Sequence, residues 1–484
     1  MCDRAARVSK RYRQALRVDN LLVMKFGGTS VGSAERMKAA CDLIAGEAAR
    51  RPVVAVVSAM SKITDLLLDA TRHAEAGDQA GLDYALHQLA LRHLTAADAL
   101  IPALSKHGVR EQIGDIVSEF QRIVSGIQML GHRPPRTVDE AVSAGERLSA
   151  LLIGEHLKSR GVAARAVNAA EVIVTDAVFN NASPLMDATE VKANARLIPL
   201  LEAGEIPIVT GFNGATADGR PTTLGRGGSD FSASILAAAL GASELWIWTD
   251  VDGIMTADPR VVPDAKILAE ITYSEAAELA YAGAKVLHPR TLAPLVERKI
   301  PVWSKNSFAP SKPGTRIVAA LAAGNPGARA VTSMANVALI SLEPARSGVG
   351  GVHIMARALD ALNRANVEML AISGSSYRQS FCFLVRAEEL ENATEAIEAA
   401  LALELAHGYV NGIEVDREVG LLAVVGEGMR GFSGVAGRIF TAISRENVNI
   451  IAIAQGSSEL TISIVVRRDG LEKAVRAVHA ECHL

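Results

Sequence analysis

Residues 21–32 of the chain read LLVMKFGGTSVG. The apolar run at 21–26 predicts a buried strand, and the glycines after it predict a tight turn with a helix starting near Ser33. A second apolar run, PVVAVVS at 52–58, is followed by helical periodicity from about Ile63. Continuous rather than alternating apolar strands are typical of a parallel sheet that is covered on both faces.

The alternation of strands and helices continues along the chain. Residues 75–130 carry helical periodicity without strand runs, and TVDE at 137–140 is typical of a capping box that starts a helix running to about Arg160. Further strands are predicted at 206–210, 245–249 and 300–304. Strands that alternate with helices predict an α/β fold, a three-layer αβα sandwich over residues 21–318.

An internal repeat follows a linker rich in Gly, Pro and Ala at residues 319–330. RANV at 364–367 matches RENV at 445–448, and a GSS sequence follows in both copies. Each copy has the order strand, Gly-rich loop, amphipathic helix, strand, strand, which is typical of a ferredoxin-like βαββαβ module. We therefore predict two modules, 331–415 and 416–484, and expect them to be regulatory or dimerising because neither carries clustered titratable residues.

The composition excludes several classes of protein. The 484 residues are 49% hydrophobic and 21% charged, so the chain can bury a core and is not mainly disordered. A net charge of −3 offers no basic surface for nucleic acid or an anionic membrane, and no apolar run is long enough to span a bilayer. The four cysteines have no metal-ligand spacing, so we expect no protein-held metal and a reducing, cytoplasmic location.

The first twenty residues differ in composition from the rest of the chain. Residues 1–20 hold six Lys and Arg but only two Asp. An Arg-rich, acid-poor start resembles a transit peptide, whereas a disordered extension or a start codon assigned too early would look the same. Both interpretations stay open.

Two glycine-rich turns suggest a site for phosphate and carboxylate groups. In KFGGTSVG, at 25–32, backbone amides after a strand can bind an anion, and a preceding Lys25 can neutralise a transferring phosphoryl group. In TTLGRGGSD, at 222–230, Arg226 can hold a carboxylate in two hydrogen bonds, and Asp230 can orient Lys25 through an ion pair. Each turn alone is also compatible with a purely structural role.

The chain carries five separated motifs in a fixed order: KFGGTSV at 25–31, SAGERL at 143–148, TTLGRGGSD at 222–230, residues 249–260, and AKVLHP at 284–289. This set resembles the aspartate kinases of the amino acid kinase family. The two repeated modules resemble ACT domains, which commonly bind amino acids as effectors. The resemblance covers the chain from about residue 21 onward.

The resemblance implies a role for each matching position. Lys25 contacts the transferred phosphoryl group and Asp230 organises Lys25. Phosphate-binding backbone is expected at Gly27, Gly28, Gly227 and Gly228. The substrate is expected to contact Ser58, Thr64, Glu146, Arg226 and Ser229. ATP is expected to contact Thr249, Asp250, Arg260 and Lys285. Magnesium is expected to be held mainly by ATP.

The resemblance also implies regulation and assembly. We expect an amino acid effector at the first module, near Ser347, Gly350, Met369, Ser375 and Ser376, and a homodimer or larger homo-oligomer. Lysine-sensitive relatives often carry an aspartate where this chain has Leu370, so the sequence does not name the effector.

The expected activity is transfer of the ATP γ-phosphate to the β-carboxylate of L-aspartate. Two alternatives stay open: a kinase for another amino acid such as glutamate, and an amino-acid-sensing regulator with an inactive kinase domain. A literal G-x-G-x-x-G at 426–431 resembles a dinucleotide fingerprint, but it falls in the loop of the second repeat and too few residues follow it for such a domain.

Overall fold

The structure is a computed structural model that describes residues 18–284, 287–321, 327–345, 350–376 and 379–484. These residues form two compact units. The first unit runs to Gly253 and resumes at 287–319, and the second unit comprises 254–286 and the chain from residue 320 onward. Residues 1–17 of the expected N-terminal extension lie outside the described residues.

The strands are β1 Leu22–Phe26, β2 Val53–Val57, β3 Ala164–Val167, β4 Val174–Thr175, β5 Ile206–Thr210, β6 Asn213–Thr216, β7 Pro221–Thr223, β8 Glu244–Thr249, β9 Glu270–Thr272, β10 Val302–Asn306, β11 Thr315–Val318, β12 Ala330–Pro344, β13 Met369–Gly374, β14 Phe381–Arg386, β15 Val410–Val425, β16 Ile450–Gln455 and β17 Thr461–Arg467.

The α-helices of the first unit are Ala34–Ala48, Ile63–Ala76, Gln79–Leu100, Ala103–Leu130, Pro135–Val142, Ala144–Ser159, Met186–Glu202, Gly228–Leu240 and Pro289–Arg298. Those of the second unit are Tyr273–Tyr281, Gly351–Arg364, Leu390–Ala400, Ala402–Ala406, Val435–Arg445 and Leu471–Glu481.

The main sheet of the first unit has the strand order β3-β5-β2-β1-β8-β10-β11. β1 lies in parallel between β2 and β8, with Phe26 opposite Val57 on one side and Trp248 on the other. All residues of β1 and β2 are buried, as their continuous apolar sequences predict. The predicted α/β fold class is confirmed, and the carboxyl ends of three central strands share one edge.

The helix starts are mostly where the sequence places them, with one correction. Ser33 caps the helix Ala34–Ala48 by accepting a hydrogen bond from the Arg36 amide. The capping box predicted at 137–140 is wrong: the helix begins at Pro135, and Pro134 makes no side-chain cap hydrogen bond. Proline at the first helical position is already set to helical φ, so the helix starts ahead of Thr137.

The second unit contains one antiparallel sheet in the order β13-β14-β12-β15-β17-β16. The long strands β12 and β15 pair along their lengths, with Ala330 opposite Val425 and Pro344 opposite Val410. Each long strand therefore serves both repeated modules, and the module boundary predicted at 415 falls inside β15. Residues 254–286, expected in the catalytic domain, cluster with this unit.

The internal repeat is also visible in the backbone. Asn366 and Asn447, which the repeat aligns, follow corresponding helices and both adopt left-handed φ values, +55° and +54°. Asparagine tolerates this conformation better than most residues, so each copy ends its helix in the same way. The G-x-G-x-x-G sequence joins β15 to the helix Val435–Arg445 within the second module.

None of the helices in the described ranges is both long enough and apolar enough to cross a bilayer.

The capping box of the second unit gives a stability test. The Thr272 hydroxyl accepts from the Glu275 amide at 3.2 Å, and the Glu275 carboxylate accepts from the Thr272 amide at 2.9 Å. We expect Thr272→Ala to lower the free energy of unfolding by about 1 kcal/mol because it removes the cap. Thr272→Ser keeps the hydroxyl and should stay close to wild type. Urea denaturation measures both, and equal losses in the two variants would contradict the capping role.

Candidate active site

Lys25 and Asp230 form an ion pair at the carboxyl edge of the main sheet. Lys25 lies in β1, and its Nζ is 2.5 Å from Oδ1 of Asp230. Asp230 lies in the first turn of the helix Gly228–Leu240, where the helix dipole favours a negative charge. The two side chains are 10% and 22% exposed, so water screens their attraction less than at an open surface. The ammonium group is thereby fixed beside both glycine-rich turns.

The first glycine-rich turn is hydrogen-bonded to β8 and packs against the segment that follows β2. The Gly27 amide donates to the Trp248 carbonyl at 3.2 Å, and the Ser30 hydroxyl donates to the same oxygen at 3.3 Å. A side chain at Gly28 would place its Cβ 3.1 Å from the Ala59 carbonyl oxygen. A larger residue would push this carbonyl away by a few tenths of an ångström, so close backbone packing favours glycine here.

The second glycine-rich turn needs left-handed backbone. Gly225 and Gly227 have φ values of +73° and +69°, and Gly227 is the N-cap of the helix Gly228–Leu240. Arg226 lies between them and is exposed, while Ser229 packs against Gly211 at the end of β5. The turn thus places an arginine, two glycines and the start of a buried helix at one edge of the sheet.

Glu146 is a buried carboxyl group next to this edge. It is 2% exposed, and its Oε1 accepts from the Ala59 amide at 3.2 Å. Its Oε2 has no hydrogen-bond partner among the described residues. Burial raises its pKa to about 8, although the charge of Lys25 acts in the opposite direction. A carboxyl group in this state gains from the arrival of a cation, such as the ammonium group of an amino acid.

The remaining sequence-derived positions of the first unit lie at the same strand ends. Ser58 follows β2, and its amide donates to the Phe26 carbonyl at 3.1 Å. Thr64 is half-buried in the first turn of the helix Ile63–Ala76. Thr249 ends β8, and its hydroxyl donates to the exposed Asp250 at 3.3 Å.

The other two expected nucleotide-binding residues are Arg260 and Lys285. Arg260 lies in the second unit, where its guanidinium group pairs with Asp258 at 2.5 Å. Lys285 lies outside the described residues.

The expected effector residues belong to the second unit. Gly350 caps the helix Gly351–Arg364 with a φ of +73°, and the Gly351 amide donates to the Gln379 side chain at 3.0 Å. Ser375 lines a cavity of about 300 Å³ whose other walls come from β12, β13, β14, β15 and β16. The other expected residues are Met369, which is 37% exposed, Ser376, which follows β13, and Ser347, which lies outside the described residues.

Sequence reasoning missed two buried polar positions near the strand ends. Ser307 follows β10, and its hydroxyl lies 2.8 Å from that of Ser30 and accepts from Arg36 at 3.1 Å. Its position directly after a predicted strand was the available signal. Asp139 is 1% exposed in the helix Pro135–Val142, and its signal was an acid, followed by Glu140, among the apolar residues Val138, Ala141 and Val142.

Within the described ranges, no group of three or more His, Cys, Asp or Glu side chains is placed to hold a metal ion. The sheet edge instead offers the ammonium group of Lys25, the guanidinium group of Arg226 and backbone amides. Such groups suit anionic ligands.

The comparisons with known proteins agree with this geometry. Residues 20–306 match the amino acid kinase family, and residues 422–482 match an ACT domain. The chain belongs to the amino acid kinase family and carries ACT-type modules after the kinase region.

Particular relatives sharpen the comparison. The chain is 35% identical over 474 residues to the chloroplastic bifunctional aspartokinase/homoserine dehydrogenase 1 of Arabidopsis thaliana, with 96% of this chain and 51% of that protein covered. The chain thus spans about half the length of the bifunctional relatives that it matches. It is also similar to E. coli aspartokinase III.

Two solved states of the E. coli enzyme match. The complex with aspartate and ADP, called the R-state, has a TM-score of 0.80 at 32% identity. The complex with lysine and aspartate, called the T-state, has a TM-score of 0.79 at 32% identity. Each match covers 96% of this chain and 100% of the E. coli chain.

The burial of Glu146 predicts a dependence of stability on pH. Its pKa is about 8 in the folded protein and near 4.5 when unfolded, so the unfolded state loses its proton first as pH rises. Wild type should therefore lose stability relative to Glu146→Gln between about pH 5 and 8, by up to about 1.4 kcal/mol per pH unit.

Glu119→Gln is the control for this measurement. Arg147 lowers the pKa of Glu119, so that carboxyl group is ionised in both states throughout this pH range. Its stability difference from wild type should stay constant. Urea denaturation at several pH values tests both variants, and a constant difference for Glu146→Gln would contradict the buried, protonated state.

Proposed function

We propose that this chain is an aspartate kinase, which transfers the γ-phosphate of ATP to the β-carboxylate of L-aspartate and gives 4-phospho-L-aspartate. The observation that carries the proposal is the Lys25–Asp230 ion pair, which joins two glycine-rich turns beside the buried carboxyl of Glu146. The complex of E. coli aspartokinase III with aspartate and ADP supports the same substrate pair. This reaction is the first step of the pathway that leads to lysine, threonine and methionine.

The chemistry needs positioning and charge neutralisation more than a strong base. A β-carboxylate is already ionised at neutral pH, so it attacks the γ-phosphorus without first giving up a proton. The bond from that phosphorus to the bridging oxygen of ATP breaks, and ADP leaves. Negative charge then spreads over the transferred phosphoryl oxygens. Lys25 neutralises part of that charge, Asp230 holds Lys25 in place, and the amides of Gly28 and Gly227 bind phosphate oxygens. The amides of Gly27 and Gly228 already donate to the Trp248 and Gly225 carbonyls, so these two glycines contribute close backbone approach.

Recognition of the amino acid follows from the buried groups. The ammonium group of aspartate supplies the cation that Glu146 lacks, and its arrival favours the ionised carboxylate. Arg226 offers a planar guanidinium group to the α-carboxylate. Ser58, Thr64 and Ser229 line the same strand ends and complete the substrate pocket of this proposal.

Nucleotide binding is proposed for Thr249 and Asp250 in the first unit and for Arg260 and Lys285 further along the chain. Mg²⁺ is a hard cation that keeps several waters and binds through substrate phosphates together with one or two carboxylates. We infer that it arrives with ATP. Bound together with ATP, Mg²⁺ would neutralise part of the phosphate charge, while the chain itself positions the nucleotide.

The catalytic ion pair gives a direct test. Lys25→Met removes the charge and keeps the side-chain stem, and Asp230→Asn keeps the shape but releases Lys25. We expect each to lower kcat/KM for phosphoryl transfer by at least about a hundredfold, because stabilisation of the transferred charge is lost. The rate of aspartate-dependent ADP formation measures the effect.

Lys38→Met is the matched control, because Lys38 is exposed on the helix Ala34–Ala48. It should retain the wild-type rate, and thermal melting of all variants checks folding. A near-normal rate in either site variant would overturn the mechanism.

ADP formation with glutamate instead of aspartate would identify a different amino acid kinase. Amino acid binding without any ADP formation would identify an inactive sensor.

Regulation is proposed at the first ACT module. The Gln379–Gly351 hydrogen bond joins the start of the helix Gly351–Arg364 to the segment after β13, so Gly350 and Ser375 belong to one local structure. The lysine-bound state of E. coli aspartokinase III supports an amino acid effector. Leu370 supplies no carboxylate for a lysine ammonium group, which weakens lysine as the sole effector.

Calorimetric titration identifies the effector. Lysine, threonine and methionine are titrated alone and in pairs, and we expect at least one titration to show saturable heat. Gly350→Val should lower that affinity by about tenfold or more, because a β-branched residue does not tolerate a φ of +73°. Gly408→Val, at another positive φ of +67° in this unit, is the control. Absence of heat with all three amino acids would contradict this regulatory proposal.

A homodimer or larger assembly is also proposed. The edge strands β13 and β16 expose apolar side chains, among them Ile372 at 37% and Ile453 at 41%. Unpaired edges with apolar side chains favour association between sheets.

The cytoplasmic location expected from the sequence stays a prediction.

A further inference from the structure

Asp139 is a buried acid that none of the roles above uses. It lies in the helix Pro135–Val142, directly before the helix that carries Glu146, and is 1% exposed. Burial raises its pKa, while hydrogen bonds from Thr223 and Asn180 favour the ionised form. Burying a carboxyl group without hydrogen-bond partners is costly, so the partners of Asp139 indicate what the group does.

Both carboxylate oxygens of Asp139 have partners on other segments. Oδ1 accepts from the Thr223 hydroxyl at 2.6 Å, and Oδ2 accepts from the backbone amide of Asn180 at 2.9 Å. The Ala182 amide also donates to the Thr223 carbonyl at 2.9 Å. One side chain therefore joins the helix Pro135–Val142 to the end of β7 and to the loop at 180–182.

The end of β7 leads into the second glycine-rich turn, and the loop at 180–182 packs against that turn. Thr223 is followed by Leu224 and then by Gly225, the left-handed residue before Arg226. A Cβ at Gly225 would lie 2.6 Å from Oδ1 of Asn181 and 3.2 Å from the Asn180 carbonyl oxygen. Asn181 also accepts a hydrogen bond from Arg290. The backbone of the turn therefore packs directly against the loop whose Asn180 backbone amide is hydrogen-bonded to Asp139.

We propose that Asp139 is a positioning residue that fixes the Arg226 turn relative to Glu146. The two residues proposed to bind the α-carboxylate and the α-ammonium group of aspartate come from different parts of the chain, and Asp139 joins those parts. This inference rests on the proposed function for its substrate. It assigns no contact between Asp139 and the substrate. Because Asp139 acts through the turn of Arg226, which is proposed to bind the α-carboxylate, loss of Asp139 changes substrate binding more than the chemical step.

The test compares two variants that remove the same contact from opposite sides. Thr223→Val removes the hydroxyl with little change of shape, and Asp139→Asn sets an amide group against the Asn180 or Thr223 donor. We expect each to raise KM for aspartate by about tenfold or more. The reason is that the segment leading into the Arg226 turn loses a hydrogen bond to a buried charged group. The value of kcat should change less than about threefold, and KM for ATP should not change. Thr223→Ser keeps the hydroxyl and should restore the wild-type KM.

Thr222→Val is the matched control. Thr222 is the neighbouring residue and is equally buried, but its hydroxyl lies 2.7 Å from that of Thr175 instead of Asp139. It should lose comparable thermal stability without a change in KM for aspartate. A wild-type KM in Thr223→Val, or an equal increase in Thr222→Val, would overturn the proposal.

Hydrogen exchange separates this proposal from the proposed function. The Leu224 amide donates to the Phe212 carbonyl at 2.9 Å, and the Gly228 amide donates to the Gly225 carbonyl at 3.0 Å. Both amides should exchange about tenfold faster in Asp139→Asn and Thr223→Val than in Thr222→Val. Unchanged exchange would overturn the positioning role whatever the substrate. If wild type forms no ADP with aspartate, the proposed function fails, and the exchange rates alone decide the role of Asp139.

Discussion

The ion pair between Lys25 and Asp230 is the interaction on which the candidate site depends. It joins the end of a central strand to the first turn of a buried helix far along the chain. An ammonium group at the edge of an apolar sheet needs a counter-charge, and an aspartate at a helix start is favoured by the helix dipole. The pair therefore stabilises both turns while leaving Lys25 beside the backbone amides that can bind phosphate.

Around this pair, the close packing of backbone and the burial of acids act together. Gly28 is close to Ala59, and the Ala59 amide in turn donates to Glu146. The turn that would bind phosphate and the acid that would bind the amino acid thus share one segment. Burying Glu146 without a full set of partners costs stability, and a cationic substrate group removes part of that cost. A site of this kind is most stable when it is occupied.

The second unit depends on a different constraint, the pairing of two long strands. Because β12 and β15 each run through both modules, the repeats share one continuous sheet and cannot be separated at a single residue. The segment 254–286, which includes Arg260, packs in this same unit. A residue proposed to bind the nucleotide is therefore part of the compact unit that carries the proposed effector site.

The sequence by itself determined the local features. Continuous apolar runs gave the buried parallel strands, Ser33 marked a helix start, and the repeat was confirmed by the matching conformations of Asn366 and Asn447. It also located the glycine-rich turns, since these depend on residue type and spacing. The residue types also suggested the Lys25–Asp230 ion pair, which the structure contains. Only the tertiary structure decided that Glu146 is buried without a full set of partners, and that Asp139 accepts hydrogen bonds from Thr223 and Asn180. Those facts depend on contacts between distant segments, and no local pattern encodes which segments pack together.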